Sequence, residues 1–258
     1  MPVVVNEGVR IAYEASGQGR ALILLHGWCG DRTWWTHAGY VDVLEREYRV
    51  LNVDLRGHGL SDKPHDPSDY SDEALIGDVL AVAGAESVER FAVWGLSFGG
   101  AIAWRVADAV PQRVPALITS GYWNPPSGGG GLRIDDPASM ALFRGGLAGF
   151  IEELKKEEGE NYEREFPPWA EEATLRGDAQ ALVAVDTRER KPLREPYGLP
   201  VPALLIAGEL EDPDDEAASV AARLPNAASF RVAGVGHGGA CAASALVLPA
   251  ARAFLARW

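Results

Sequence analysis

"FAVWGLSFGGAIAW" (residues 91–104) sets a serine between glycines, at the point where one apolar run gives way to another. A buried strand has no need of a hydroxyl there. An ordinary turn has no need of a glycine two residues before the serine and another two after it. With 29 glycines and 12 serines, the chain would produce about 0.15 matches to Gly-x-Ser-x-Gly by chance. The pattern alone is therefore suggestive, and its surroundings must decide whether Ser97 is a nucleophile.

The surroundings read as an alternation of strands and helices. "VRIAYEA" (9–15) alternates apolar and polar residues, which predicts an early antiparallel strand. "ALILLHG" (21–27), "YRVLNVDLRGHG" (48–59), "FAVWG" (91–95), "ALITSG" (116–121), "ALLIAGE" (203–209) and "SFRVAGVGHGG" (229–239) hold short continuous apolar runs, as strands buried on both faces do. Helical spacing falls between them, at 33–47, 71–85, after Ser97, at 215–224 and at 242–258. Ser71 is a candidate N-cap, followed by Asp72 and Glu73 at the positive end of the helix dipole. Pro249 falls inside the last helical pattern and is expected to kink or divide it. Such alternation predicts an α/β fold, a mostly parallel central sheet with helices on both faces. Residues 124–198 break the rhythm. They open with "NPPSGGGGLR", continue with the charge-rich "IEELKKEEGENYEREFPPW", and predict an inserted, mainly helical cap between core segments 1–123 and 199–258. The acidic run within it reads as a solvated helix face.

Composition bounds the function. A length of 258 residues suits one large domain with an insertion. The formal net charge of −13 argues against a nucleic-acid partner, which would require clustered Lys and Arg. Two cysteines, Cys29 and Cys241, make no disulfide framework and read as small packed residues. No apolar run reaches membrane-spanning length, and the first residues carry no signal-peptide pattern, so a cytoplasmic protein with no membrane association is expected. No His/Cys/carboxylate cluster has metal-ligand spacing, and neither a Walker loop nor a dinucleotide glycine pattern occurs, so no cofactor is expected. A monomer and a small homo-oligomer both fit.

In an open α/β sheet, ligands bind at the carboxyl ends of the strands. Here Ser97 follows one predicted strand, Glu211 and Asp212 another, and His237 the last. At these residues the sequence resembles the α/β-hydrolase fold superfamily: "LLHGWCG", "VDLRGHGLSDKP", "WGLSFGG", "LLIAGELEDP" and "GVGH" stand in family order. The likeness is to serine esterase-type members with a helical cap. Relatives resembling dehalogenases or epoxide hydrolases carry Asp where this chain has Ser97.

The physical reading of the residues agrees with that resemblance. A strand-to-helix corner at Gly95–Gly99 would expose Ser97 at a helix N-terminus, and only small neighbours fit such a corner. A serine hydroxyl is a weak nucleophile and needs a base. Of five histidines, His237 is the choice, in a glycine-rich loop after the last strand. His26 and His58 read as loop architecture, His37 and His65 as surface residues. Asp212 is the first choice for the carboxylate that orients the base, because Asp212-Pro213 resembles a frequent family pair. Glu211 is the second, because it stands three residues after Gly208, where many members place the acid. Asp214 and Asp215 read as caps of the next helix. The family pattern implies that the backbone N–H groups of Trp28 and Phe98 form the oxyanion hole.

These readings converge on a cofactor-independent serine hydrolase of carboxylic esters, lactones or thioesters. The same residues also allow a C–C hydrolase or perhydrolase, and the fold also allows a non-catalytic small-molecule binder. The expected ligand is an apolar or aromatic acyl compound, which the aromatic residues Trp123, Phe143, Phe150, Phe166 and Trp169 of the inserted region and its border would suit; the same residues equally suit packing of cap on core.

Overall fold

A computed structural model describes residues 1–124, 137–193, 195 and 197–258. In chain order the core opens with β1 (Val3–Asn6), β2 (Val9–Ser16), β3 (Arg20–Leu25), α1 (Thr33–His37), α2 (Val41–Leu44), β4 (Tyr48–Val53) and α3 (Asp72–Ala85). It continues with β5 (Phe91–Leu96), α4 (Phe98–Ala109) and β6 (Leu117–Ser120). A helical stretch follows: α5 (Pro137–Glu158), α6 (Tyr162–Glu165), α7 (Pro168–Leu175) and α8 (Ala179–Thr187). The chain closes with β7 (Ala203–Gly208), α9 (Glu216–Ala221), β8 (Ala227–Val232), α10 (His237–Ala242) and α11 (Ser244–Leu255).

Among the described residues these strands form one eight-stranded sheet in the order β1-β2-β4-β3-β5-β6-β7-β8. β1 pairs antiparallel with β2, and β2 with β4; every other pairing is parallel. The continuous apolar runs are explained by burial on both faces. Ile23 and Leu25 of β3 pack with Val79, Val82, Ile102 and Val106 from α3 and α4. Leu22 and Leu24 pack on the other side with Trp35, Tyr40, Trp94 and Val247. Burying each such side chain stabilises the fold by about 2 kcal/mol before its entropy cost.

Three local readings change. β1 is an additional edge strand whose residues alternate between exposed and half-buried positions, too short for periodicity to single out. The helical pattern at 33–47 is two short helices, parted where Gly39 turns with φ of 81°. Pro249 does not divide the last helix: α11 runs through it, and the proline forgoes only the bond its N–H would have made to the Ala245 carbonyl. Ser71 caps α3 as expected, its Oγ accepting from the Ala74 N–H at 3.1 Å.

Between β6 and β7 the described residues are helical or irregular and contain no strand. α5 is broken at Gly146, where φ is 62°. The sequence "PPSGGGGLR" (125–133) lies outside the described residues.

The strand order fixes where a site can form. From β3 the chain moves to β4 on one side, then crosses back to β5 on the other. The crevice at that reversal lies outside the carboxyl ends of β3 and β5, where open α/β sheets bind ligands.

Candidate active site

Leu25 pairs with Gly95 across β3 and β5, so the loops leaving the two strands start level. One begins His26-Gly27-Trp28 and the other reaches Ser97. Ser97 sits at φ 50° and ψ −114°, a conformation that costs an L-residue about 1–3 kcal/mol. The flanking glycines make that corner possible. A Cβ on Gly95 would stand 2.1 Å from the Gly99 carbonyl oxygen, and one on Gly99 would stand 2.3 Å from the Leu25 carbonyl oxygen. The Ser97 N–H is anchored to the Ser120 carbonyl at 2.7 Å, and α4 begins at the next residue.

Ser97 Oγ lies 2.9 Å from His237 Nε2, and His237 Nδ1 lies 2.7 Å from Glu211 Oε2. Serine, histidine and carboxylate thus form one hydrogen-bonded line, although 140 residues separate the first two. Glycines again allow the approach. A Cβ on Gly208 would meet the Gly236 carbonyl at 2.4 Å, and one on Gly121 would meet His237 Cε1 at 2.8 Å.

The carboxylate choice is corrected by this geometry. Glu211, not Asp212, faces His237. Asp212 is buried and accepts from the Glu216 N–H at 2.7 Å and the Ala217 N–H at 2.9 Å, capping α9. Asp215, expected to cap that helix, adopts the left-handed conformation and makes no side-chain cap bond. Adjacent residues in a tight turn point in different directions, so only one of the pair can face the histidine. The other oxygen of Glu211 accepts from the Gly208 N–H at 2.8 Å, which fixes the carboxylate's orientation.

Partial loss of hydration among the surrounding groups works against His237 protonation, but the hydrogen bond and charge of Glu211, with Glu165 and Glu158 nearby, outweigh it. The net pKa lies above the ordinary imidazole value of 6.5. His26 and His58 differ in kind. Burial drives each down to about 4, so both are neutral near pH 7. His26 Nε2 accepts from the Leu55 N–H at 3.1 Å while Nδ1 faces the Gly27 carbonyl. His58 Nε2 faces the Trp28 carbonyl. Both therefore brace the loop after β3. His37 stacks on Trp169, and His65 pairs with Asp178 at 3.0 Å.

The "GHGLSD" loop is held by polar contacts within the fold. Asp54 accepts from the Arg32 and Leu60 N–H groups, and Ser61 Oγ donates to the Asp54 carbonyl at 2.7 Å. Arg56 pairs with Asp78 at 2.6 Å in the interior, and Asp62 pairs with Arg10 at 2.8 Å.

Ser97 and His237 open onto a cavity of about 250 Å³, walled by Trp28, Trp34, Leu96, Phe150, Leu154 and Phe166. Of the five aromatic residues singled out in the sequence, Phe150 and Phe166 reach this wall. Phe143 is exposed, Trp169 packs edge-on against Trp34, and Trp123 sits against the core. Trp34 is a wall residue that nothing in its helical setting announced. Glu158 and Glu165 also line the cavity, and among the described residues no Lys or Arg does. Cys29 and Cys241 border it as free thiols; burial pushes Cys29 up to about 11 and Cys241 well above the ordinary thiol value, which keeps both protonated. Among the described residues neither the Trp28 nor the Phe98 N–H donates to a protein acceptor. Among them, too, no group of three or more His, Cys, Asp or Glu side chains is arranged to hold a metal ion, and no helix is long and apolar enough to cross a membrane. A larger cleft of about 840 Å³ lies at the opposite ends of the strands, but among the described residues its lining offers no serine, cysteine, histidine or carboxylate side chain.

A sequence profile of the alpha/beta hydrolase fold matches residues 20–156, over half the chain. The chain belongs to the α/β-hydrolase family. Among curated members, epoxide hydrolase 4 of Mus musculus is 32% identical over 124 residues, which are 47% of this chain and 34% of that protein. The chain spans between about a third and two fifths of the length of the first such relatives it matches. Among solved structures of the family's fold, the enol-lactonase from Burkholderia xenovorans LB400 superposes with a TM-score of 0.81 at 22% identity, covering 99% of this chain and 100% of that one. Esterase RhEst1 from Rhodococcus sp. ECU1013 superposes with a TM-score of 0.82 at 24% identity, covering 98% and 97%. At such identities the likeness establishes the shared fold.

Proposed function

We propose that the protein is a cofactor-independent serine hydrolase that cleaves carboxylic esters, lactones included, or thioesters. The observation that carries this reading is the line from Ser97 Oγ through His237 to Glu211 at the wall of an apolar cavity. Ser97 Oγ attacks the carbonyl carbon while its proton passes to His237 Nε2. The carbonyl π pair moves to oxygen, and the oxyanion accepts from the Trp28 and Phe98 N–H groups. Collapse breaks the bond to the leaving group, which takes the proton from Nε2. Water then repeats the sequence on the acyl-enzyme, releases the acid and restores Ser97. Glu211 holds the imidazole and stabilises its protonated form. The helical segment between β6 and β7 acts as the cap that walls the acyl site with Phe150 and Phe166.

Two features narrow the substrate. Apolar walls favour an apolar or aromatic acyl group. The carboxylates of Glu158 and Glu165, with no cation in the lining among the described residues, favour neutral or cationic substrates over anionic ones. The nucleophile argues against the reaction of the epoxide hydrolase relative. A serine that opened an epoxide would be left as an alkyl ether, which offers water no carbonyl to attack.

The test is hydrolysis of p-nitrophenyl esters from acetate to decanoate by the wild type and Ser97→Ala in parallel. Turnover by the wild type, with a fall of about 10⁴-fold or more in the variant, supports the assignment. Equal rates in the two proteins would exclude Ser97 as the nucleophile.

A further inference from the structure

The acidic run in the helical segment reads in sequence as a solvated face, and several of its residues behave so. Lys155 pairs with Glu171 at 2.9 Å, and Lys156 with Glu153 at 2.8 Å, at the surface. Glu165 does not. It is 6% exposed at the end of α6, and its carboxylate leaves the helical segment to bind the backbone at the N-terminus of α10. Oε1 accepts from the Gly236 N–H at 2.8 Å, and Oε2 from the Gly239 N–H at 2.8 Å. These two amides lie one residue before and two residues after His237.

The loop is shaped to receive this carboxylate. A Cβ on Gly236 would stand 2.9 Å from Glu165 Oε2, and one on Gly239 would stand 3.1 Å from Oε1. A Cβ on Gly238 would stand 1.7 Å from the Glu165 backbone oxygen. Gly236, Gly238 and Gly239 therefore serve close approach by α6. The His237 ring is about half exposed, so side-chain packing does little to hold it. The bonds to Glu211 and Ser97 orient the ring, and the backbone that carries it begins α10, where Glu165 binds the amides on both sides.

We propose that Glu165 is a positioning residue for His237: carried on α6, it clamps the amides flanking the histidine, so that the ring stands against Ser97 only while the helical segment between β6 and β7 is seated on the core. This rests on the reading of Ser97 and His237 as nucleophile and base. Seating the cap and aligning the base become one event, which restricts acyl transfer to the closed pocket. Among the described residues three carboxylates act on the imidazole: Glu211 from the loop after β7, Glu165 from α6 and Glu158 from α5. Arg164 Nε lies 3.3 Å from Glu165 Oε1 and partly offsets that charge.

The test compares Glu165→Ala, Glu165→Gln and Gly238→Ala with wild type on a p-nitrophenyl ester, with Ser97→Ala as control. Thermal melts accompany the kinetics. Glu165→Ala is expected to lower kcat on the order of 10²-fold with a smaller change in KM, the effect of displacing a catalytic group by about 1 Å. Glu165→Gln, which retains one acceptor oxygen, falls between that variant and wild type, and carries the test if Glu165→Ala loses its fold. Gly238→Ala forces α6 off the loop and produces the same kcat defect. Combined with Glu165→Ala it produces little more, because both changes undo one contact. The acidic limb of the kcat/KM profile moves to lower pH in both Glu165 variants. Folded Glu165 variants with kcat within twofold of wild type, or with a change in KM alone, would overturn the proposal and leave the hydrolase reading standing. Activity retained in Ser97→Ala would overturn both.

Discussion

Glu211 and Asp212 are adjacent acids with opposite duties. Glu211 faces His237 Nδ1, while Asp212 is spent on two N–H groups of α9. Glu211→Gln should reduce kcat by about 10³–10⁴-fold, because an amide can present an N–H to the ring and no longer favours the imidazolium. It should also move the acidic limb of the pH profile downward, since Glu211 contributes most to holding the His237 pKa above its ordinary value. Asp212→Ala should leave kcat within a few-fold of wild type and cost about 1–2 kcal/mol of stability. In a chain of this size that is a fall of about 2–8 °C in melting temperature. Steady-state kinetics and melts on the two variants separate the roles. The reverse pattern, with Asp212 needed for turnover and Glu211 dispensable, would refute the assignment.

At the scale of elements, the junction of β5 and α4 is a steric construction. Gly99→Ala would drive a methyl into the backbone of β3, and Gly95→Ala into the backbone of α4. Each should destabilise by more than about 3 kcal/mol or prevent folding, as backbone cannot yield the way a flexible side chain does. Gly84 is the contrast: it sits in α3 near the end of the helix, and a methyl added there would meet nothing within 4 Å. Gly84→Ala should therefore stabilise by about 0.5–1 kcal/mol through helix propensity and reduced unfolded-chain entropy. Circular-dichroism melts of the three variants test this ordering; an unaffected Gly99→Ala would show that the corner does not need its glycine.

Over the whole molecule, the buried histidines set the response to acid. The pKa values of His26 and His58 fall from about 6.5 to about 4 on folding, so the unfolded chain binds more protons between those values. Their contribution is present above pH 6.5 and is lost as pH falls through the folded value. His237 has the opposite sign. Its raised pKa adds stability that is full below about pH 6.5 and is lost as pH rises through the folded value. From pH 6.5 to 4 the His237 contribution is already full, so the two buried histidines predict a net fall in melting temperature, and an increase over that range would contradict it. The charge of the pocket is expressed at the same scale. Neutral or cationic esters should be cleaved at least about tenfold faster, in kcat/KM, than an anionic ester of equal size, with the gap narrowing as salt is added. Equal rates at low salt would remove the pocket carboxylates from the account of selectivity.

Local chemistry was enough to read the strand-and-helix alternation, the Gly-x-Ser-x-Gly corner, the Ser71 cap and the loop of His237, because backbone preference and apolar periodicity act over a few residues. The family and its mostly parallel sheet followed from the order of those signals. The short edge strand β1 and the break at Gly39 escaped, being too brief to carry a period. The choice between Glu211 and Asp212 was not legible, since a turn decides which of two neighbours faces across the sheet. Nor was Glu165. In a run of acidic residues nothing local distinguishes one carboxylate from the next, and only the packing of α6 on a glycine-lined loop 71 residues away buries this one beside His237. Charge and spacing are properties of the chain; burial and direction belong to the packed molecule.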